Sequence, residues 1–181
     1  YAKRMLDVMN RAYSEGPGRE GPGRVFTSII PCNVYGPHDN FHLERGHVIP
    51  ALIHRAHLLS KQPAPGSLKV AGSGTPLRQF IYSKDLAKLV VWMVDSYDSC
   101  EAIILAPEEE VSIGAAAGMI ASEFGLDAIQ FMGDMSDGQH KKTASNAKLR
   151  RLLPGVKFTS LADGIKETVN WFKFMYPEVR R

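Results

Sequence analysis

The stretch VFTSIIPCNVYGPHDNFHLERGH, residues 25–47, decides the fold. Its first six residues, 25–30, are mostly apolar and β-branched, which predicts a buried strand that ends at Pro31. Residues 32–47 are too rich in polar and turn-forming types for regular structure, and loops of this length are usually functional or disordered. Ligands of α/β sheets lie outside the carboxyl ends of strands, so Asn33 and Tyr35 are candidates to bind one. A purely structural turn explains these residues equally well.

Helical and extended patterns alternate on both sides of this stretch. Met5, Val8 and Met9 repeat at helical spacing before it, and β-branched runs alternate with amphipathic runs after it. This alternation predicts an α/β fold. The predicted helices are 1–13, 49–60, 83–97, 112–124, 145–153 and 160–175, with Ser83, Ser112 and Ser145 as caps, and the predicted strands are 25–30, 68–71, 78–82, 102–106 and 129–132.

The composition is that of an ordinary globular chain. Of 181 residues, 44% are hydrophobic and 23% charged, which excludes disordered, collagen-like and coiled-coil classes. A net charge of +3 is too small to argue for nucleic acid binding, and no apolar run approaches the roughly 20 residues that span a bilayer. Cys32 and Cys100 have neither metal nor redox spacing, so a reducing, cytoplasmic environment fits best. A helix that begins at Tyr1, without Met, predicts a piece of a longer protein; a processed mature chain is the alternative.

Gly16, Gly18 and Gly21 match the G-x-G-x-x-G pattern of dinucleotide-binding proteins. That pattern binds pyrophosphate because it joins a strand to the N-terminus of a helix. In this chain a predicted helix precedes the glycines and a predicted strand follows them, and Pro17 and Pro22 disturb the turn further. We therefore interpret these glycines as a solvent loop, and the sequence offers no other pyrophosphate loop.

Histidines and arginines are the candidates for acid–base chemistry and for anion binding. His47 precedes a predicted helix and can act as general acid or base near neutral pH, although most lone histidines are surface residues. We interpret the helical face shared by His54 and His57 as solvated, because no carboxylate at matching spacing completes a metal site. Arg55 and Arg78, which flanks the glycine-rich turn GSGTP, suit an anionic ligand, with two surface arginines as the plain alternative.

Five segments together resemble one enzyme family. YAK (1–3), PCNVYGPHDNF (31–41), HVIPALIHR (47–55), GSGTPLRQFIYSKDLA (72–87) and SDGQHKKTASNAKLR (136–150) are similar, in the same order, to the GDP-L-fucose synthases, which are extended short-chain dehydrogenases/reductases. The resemblance covers essentially the whole chain and corresponds to the C-terminal part of these enzymes. It implies an α/β Rossmann-type fold with a smaller substrate-binding α/β domain. Residues 1–45 would complete the NADP-binding domain, and 46–181 would form mainly the substrate domain, with some segments returning to the first.

The resemblance also implies a two-stage reaction. GDP-4-keto-6-deoxy-D-mannose is epimerised at C3 and C5 by proton removal beside the ketone, and NADPH then delivers hydride to C4, giving GDP-L-fucose. The implied partners are therefore NADP(H) and a GDP-sugar, with no metal, nucleic acid or membrane, in a homodimer whose interface includes the helix that bears Lys3.

By the same resemblance, Lys3 is the lysine that lowers the pKa of a catalytic tyrosine and holds the nicotinamide ribose. That tyrosine would lie four positions before Lys3, so Tyr1 is not it. His47 matches the acid or base of epimerisation, whereas Cys32 is not the family's catalytic cysteine. Ala71 departs from the family, since some members have Trp there to contact the nucleotide. The implied cofactor residues are Lys3, Pro31, Cys32, Asn33, Val34 and His47, and the implied substrate residues are Arg55, Arg78 and Asp137.

These inferences predict that the chain alone has negligible turnover, since the pyrophosphate loop and the catalytic tyrosine are missing from it. A non-catalytic GDP-sugar-binding module and a different nucleotide-sugar epimerase-reductase are the alternatives. The apolar positions of the first helix suit a dimer interface, and plain core burial explains them equally well. Without a covering sheet, the first helix and strand 25–30 would be exposed and would promote self-association.

Overall fold

The computed structural model describes residues 1–15 and 25–181, so the predicted loop at Gly16–Gly21 lies outside the described residues. Helices and strands alternate, which confirms the predicted α/β class. The helices are α1 (Ala2–Glu15), α2 (Val48–Ser60), α3 (Ser83–Ser96), α4 (Ile113–Glu123), α5 (Ala147–Leu152) and α6 (Leu161–Met175). The strands are β1 (Ile29–Pro31), β2 (Asn33–Tyr35), β3 (Leu68–Ala71), β4 (Leu77–Arg78), β5 (Phe80–Tyr82), β6 (Ile103–Leu105), β7 (Val111–Ser112), β8 (Ile129–Met132) and β9 (Lys141–Lys142).

The strands pair mostly in parallel, as expected where helices connect them. Strand β1 pairs with β6, β2 with β5, and β3 with β8, each in parallel. Strand β4 lies between antiparallel β7 and parallel β9. The chain therefore changes partner strands at Gln79, the single residue between β4 and β5.

Buried apolar side chains form two clusters, which lie on different sets of elements. The larger cluster joins α2, α4 and α6 to β3 and is centred on side chains such as Ile53, Ile120 and Phe172. The smaller cluster packs α3 and α5 against β6 and includes Leu89 and Leu149. Since Cys32 and Val34 pack against the smaller cluster, the residues around β2 share their packing with segments far along the chain.

Two predictions for residues 25–47 were wrong in their extent. Strand β1 covers only Ile29–Pro31, and its side chains are exposed rather than buried, because β6 pairs with its backbone edge and does not cover the faces from which the side chains project. The segment 32–47, predicted as irregular, contains β2, because β5 supplies the backbone partner that Asn33 and its neighbours need. Strand pairing depends on the backbone, so polar side chains did not prevent it.

Of the three predicted helix caps, Ser112 is confirmed, and Ser83 and Ser145 are wrong. Ser112 Oγ accepts the amide of Ala115 at the start of α4, and Ser160 does the same at α6. Ser83 is the first residue of α3 and makes no side-chain cap, because Tyr82 occupies the cap position. Asn146, rather than Ser145, precedes α5. Serine predicts a cap only where its own backbone stays extended ahead of the helix.

Helix α1 presents an apolar face to solvent. Met5, Leu6, Val8, Met9 and Tyr13 are between 46% and 64% exposed, so core burial does not explain their pattern. Asn10 and Ser14 instead donate side-chain hydrogen bonds to the carbonyls of Thr27 and Phe26, tying the helix to the segment before β1. None of the helices in the described ranges is long and apolar enough to cross a membrane.

Candidate functional site

The glycine-rich turn after β3 is closed by the carboxylate of Asp137. Gly72 and Gly74 both have φ of +75°, a conformation that glycine adopts without strain. Asp137 Oδ1 accepts the backbone amide of Ser73 at 2.6 Å, and Oδ2 accepts its hydroxyl at 2.7 Å. These two hydrogen bonds lower the pKa of Asp137. The carboxylate is exposed and charged, so it joins turn 72–76 to segment 133–140 while still facing solvent.

Arg78 lies at the end of the same turn. Strand β4 pairs Leu77 with Lys141 and Arg78 with Lys142, and the guanidinium of Arg78 donates to the carbonyl of Leu77 at 2.8 Å. A longer contact of 3.5 Å reaches the carbonyl of His140. Arg78 and Asp137 therefore flank one pair of adjoining segments, with remaining guanidinium N–H groups available to an anion.

Glu108 and Glu110 bind the segment that follows Asp137 in the chain. Glu110 forms an ion pair with Lys141 at 3.0 Å. Glu108 accepts hydrogen bonds from Arg150 Nη2 at 2.7 Å and from Asn146 Nδ2 at 2.8 Å. The hydrogen bonds from Arg150, the largest cause, hold the pKa of Glu108 at about 2. The acidic run 108–110 thus holds segment 141–150 in place through ion pairs and hydrogen bonds. This segment follows Asp137 in the chain.

Arg55 is tied to the loop that carries His47. Its Nη2 donates to the carbonyl of Leu43 at 2.6 Å, so the guanidinium lies against the loop that precedes α2. The predicted solvated face of His54 and His57 is wrong, since these side chains are only 4% and 7% exposed. His54 Nδ1 lies 2.8 Å from the carbonyl of Phe41, and the rings of Phe172 in α6 and of Tyr176 just after it pack against both imidazoles. They are structural residues of the larger cluster.

His47 occupies the position just before α2. Its backbone is extended, its carbonyl accepts the amide of Ala51 at 3.0 Å, and its imidazole is exposed and makes no cap hydrogen bond. The ring is thus held in place at its backbone and open at its nitrogens. A side chain in this state can exchange a proton with a ligand.

Residues 31–34 form the corner between β1 and β2. The amide of Cys32 donates to the carbonyl of Leu105, and Asn33 Nδ2 donates to the carbonyl of Gln79 at 2.8 Å. Burial raises the pKa of the Cys32 thiol to about 11, so it stays protonated and is a poor nucleophile. Val34 packs against the smaller cluster, while Pro31 is exposed.

Lys3 lies near the start of α1, where it is exposed, and its side chain makes no hydrogen bond or ion pair with any described residue. The contacts of the site therefore define three groups: turn 72–78 with segment 137–142, Arg55 with the loop of His47, and Asn33 with Gln79. Gln79 adjoins Arg78 in the chain, so it links the first group to the third. Within the described ranges, no three His, Cys, Asp or Glu side chains are placed to hold a metal ion.

Sequence reasoning missed Gln79. It is 2% exposed and its amide makes hydrogen bonds to Pro107 and to both backbone groups of Ala144. The only signal in the sequence was a polar residue inside the apolar run LRQFIY, which predicted one strand over 78–82 where the structure has two.

Comparison with known proteins agrees with the motifs. Residues 1–114 match the NAD dependent epimerase/dehydratase family. The chain is 47% identical, over its whole length, to a GDP-L-fucose synthase from Dictyostelium discoideum and to a probable GDP-L-fucose synthase from Drosophila melanogaster, of which it spans 55% and 57%. It superposes with a TM-score of 0.94 on a GDP-L-fucose synthetase from Naegleria fowleri bound to NADP, at 44% identity, covering all of this chain and 57% of that one.

These matches confirm the resemblance that the motifs predicted. They also show that the chain spans a little over half the length of the relatives it matches. On the match over residues 1–114, the chain belongs to the NAD dependent epimerase/dehydratase family.

Proposed function

We propose that this chain is the C-terminal, GDP-sugar-binding part of a GDP-L-fucose synthase, an NADPH-dependent epimerase-reductase. The observation that carries the proposal is the 47% identity over the entire chain with the Dictyostelium protein of that name. The structure supports it by joining Arg78 and Asp137 through adjacent segments, and by leaving the imidazole of His47 open.

The residues present fit one end of NADP(H). At the corner 31–34, Asn33 uses one side-chain N–H on Gln79, which leaves its second N–H and its amide oxygen, and Lys3 adds a cation; these groups suit a carboxamide and a ribose. The described residues contain no strand–glycine loop–helix unit, so they do not fit the pyrophosphate end. We therefore assign residues 1–45 to the remainder of the cofactor domain and most of 46–181 to the substrate domain.

The substrate half of the proposed site binds charge and hydroxyl groups. Arg78 and Arg55 each use one guanidinium nitrogen on a backbone carbonyl, which fixes the plane of the group and leaves other donors for a pyrophosphate. Asp137, already charged and held by Ser73, is an acceptor for sugar or base donors. His47 moves the proton at the carbon beside the ketone, and NADPH, when bound, supplies hydride to C4.

Catalysis in this proposal requires groups that the chain does not contain. Lys3 would act on a tyrosine one helical turn before it, so the chain alone binds the GDP-sugar without turning it over. The proposed assembly is a homodimer through the apolar face of α1, which the exposure of Met5, Val8 and Met9 favours. The proposed location is cytoplasmic.

Calorimetry with GDP tests the binding half of the proposal. We expect saturable binding by the folded chain, and we expect Arg78→Ala to weaken it about tenfold or more, the usual cost of a lost charge-assisted hydrogen bond. Arg151→Ala is the matched control, since Arg151 is exposed on α5 and belongs neither to turn 72–76 nor to the contacts of Glu108. Absence of binding by a chain shown to be folded by circular dichroism would overturn the proposal.

A chimera tests the catalytic half. It joins the amino-terminal part of the Dictyostelium relative, the part outside the 55% that this chain spans, ahead of Tyr1. We expect the chimera to oxidise NADPH with GDP-4-keto-6-deoxy-D-mannose and to form GDP-L-fucose, and the 181-residue chain alone to do neither. GDP binding without turnover by a folded chimera would favour a non-catalytic GDP-sugar-binding module.

A further inference from the structure

The buried side chain of Gln79 holds two distant segments of the chain at once. Its Nε2 donates to the carbonyls of Pro107 at 2.8 Å and of Ala144 at 3.1 Å, and its Oε1 accepts the amide of Ala144 at 2.8 Å. The amide thus uses both donors and an acceptor while only 2% of the residue is exposed. Because a buried amide is costly unless its hydrogen bonds are made, an apolar residue of similar volume would serve simple packing better.

The backbone of the same residue reaches a third segment. The carbonyl of Gln79 accepts both the side-chain Nδ2 of Asn33 at 2.8 Å and its backbone amide at 3.3 Å. Asn33 belongs to β2, on the side that we assign to the cofactor, whereas Ala144 follows β9, on the side that bears Arg78 and Asp137. Gln79 is therefore in direct hydrogen-bond contact with both halves of the proposed site.

Gln79 also lies where the chain changes partner strands. On its amino-terminal side Arg78 pairs with β9, and on its carboxyl-terminal side Phe80 pairs with Asn33 in β2. A continuous strand would have placed both pairings in one sheet. The side chain of Gln79 instead replaces the missing strand pairing to Ala144 by two amide hydrogen bonds of its own.

We propose that Gln79 is a positioning residue that sets the separation between the cofactor-side corner at Asn33 and the GDP-sugar side at Arg78. The inference rests on the proposed function. Its side chain touches neither ligand site directly, so its loss should leave each ligand bound separately and misplace one relative to the other. Transfer between the two ligands is sensitive to a displacement of about 1 Å, whereas the affinity for either ligand alone is not.

Gln79→Glu in the chimera tests this inference through a pH profile. At pH 8 the carboxylate still accepts from Ala144 but cannot donate to either carbonyl, and at lower pH a protonated carboxyl regains one donor. We expect kcat to fall about tenfold or more at pH 8, with KM for NADPH and for the GDP-sugar unchanged within about twofold. The deficit in kcat relative to the unsubstituted chimera should shrink as the pH is lowered to 6. Gln130→Glu, the same change on exposed β8, is the control and should show neither effect.

Amide hydrogen exchange gives a readout that does not depend on turnover. In Gln79→Glu at pH 8, peptides that contain Asn33 and Ala144 should both lose protection, while peptides from α4 should not. An inactive unsubstituted chimera therefore counts against the proposed function alone. Three results would overturn the positioning role. They are equal rises in both KM values, a loss of kcat that does not depend on pH, and a loss of protection throughout the chain. If Gln79→Glu does not fold, Gln79→Met tests the positioning role by the same kcat and KM criteria. If neither variant folds, Gln79 is purely structural and the positioning role is overturned.

Discussion

Helices α1 and α2 have nearly equal lengths, 14 and 13 residues, but opposite surroundings. Helix α2 is enclosed by α4, α6 and β3, and eight of its residues are buried, two of them histidines. Helix α1 contacts the segment before β1 through Asn10, Ser14 and the ring of Tyr13, while its apolar side chains are largely exposed. The burial of a helix therefore depends on the elements that pack beside it as well as on its own apolar content, which is higher in α2 than in α1.

The residues of the proposed site are split between the enclosed region around α2 and the open region around α1. Arg55 and His47 belong to the enclosed region, where the core fixes the backbone from which they project. Lys3 belongs to the open region, where a few side-chain hydrogen bonds and the contact between the rings of Tyr13 and Phe26 orient the helix. We infer that the GDP-sugar side is preorganised by this chain and that the cofactor side depends on contacts beyond it.

The largest expected effect contrasts the two helices directly. Ile53→Ala, in α2, removes a fully buried side chain and should lower the free energy of unfolding by about 2–5 kcal/mol. Met9→Ala, in α1, removes a side chain that is 47% exposed and should change it by less than about 0.5 kcal/mol. Urea unfolding followed by circular dichroism measures both. Equal losses for the two variants would show that α1 is as well packed as α2.

A second prediction concerns how tightly the enclosed region is packed. A Cβ at Gly164 in α6 would collide with the ring and hydroxyl of Tyr35, which is only 2% exposed, whereas a Cβ at Gly118 in α4 would meet nothing. Gly164→Ala should cost about 1–3 kcal/mol of stability from overpacking, and Gly118→Ala should gain about 0.5–1 kcal/mol from helix propensity. The sign of the two changes in midpoint temperature checks this. A stabilised Gly164→Ala would mean that the core can yield around Tyr35.

Part of this contrast could be predicted from the sequence. The helical spacing of Met5, Val8 and Met9 predicted α1, and the cap at Ser112 predicted the start of α4, because both signals are local. The exposure of α1 depends on which elements pack beside it, and no local pattern carries that information. The exposure of α1 was predicted only through the resemblance, which implied that a covering sheet is missing from this chain.

The candidate site shows the same limit. The family resemblance indicated Asp137 as a substrate residue, and residue type alone left Arg78 open between an anion-binding and a plain surface arginine. The solvated face predicted for His54 and His57 was wrong, because the rings of Phe172 and Tyr176 that pack on them lie more than a hundred residues later. Gln79 was missed for the same reason, since its partner Ala144 is 65 positions away.

A third prediction uses pH to probe the enclosed region. Burial lowers the pKa of His57 below its usual 6.5, helped by the nearby charges of Lys61, His54 and Lys173. The unfolded chain therefore takes up this proton at higher pH than the folded chain does. The free energy of unfolding should fall as the pH is lowered through 6.5, and His57→Phe should reduce that slope. Urea titrations at pH 7.5 and 5.5 test the slope, and an unchanged slope in His57→Phe would contradict the assignment.

The smallest effect on stability should be accompanied by a change in association. Met9→Glu places a charge in the centre of the exposed face of α1, where no core contact is lost, so stability should change by less than about 0.5 kcal/mol. Exposed apolar surface of this kind promotes association, and the charge should shift the chain toward monomer. Val94→Glu, on α3 and 82% exposed, is the matched control and should leave association unchanged, because Val94 lies outside the α1 face. Light scattering over a concentration series separates the two. A monomeric unsubstituted chain at high concentration would show that apolar exposure on α1 is insufficient for self-association.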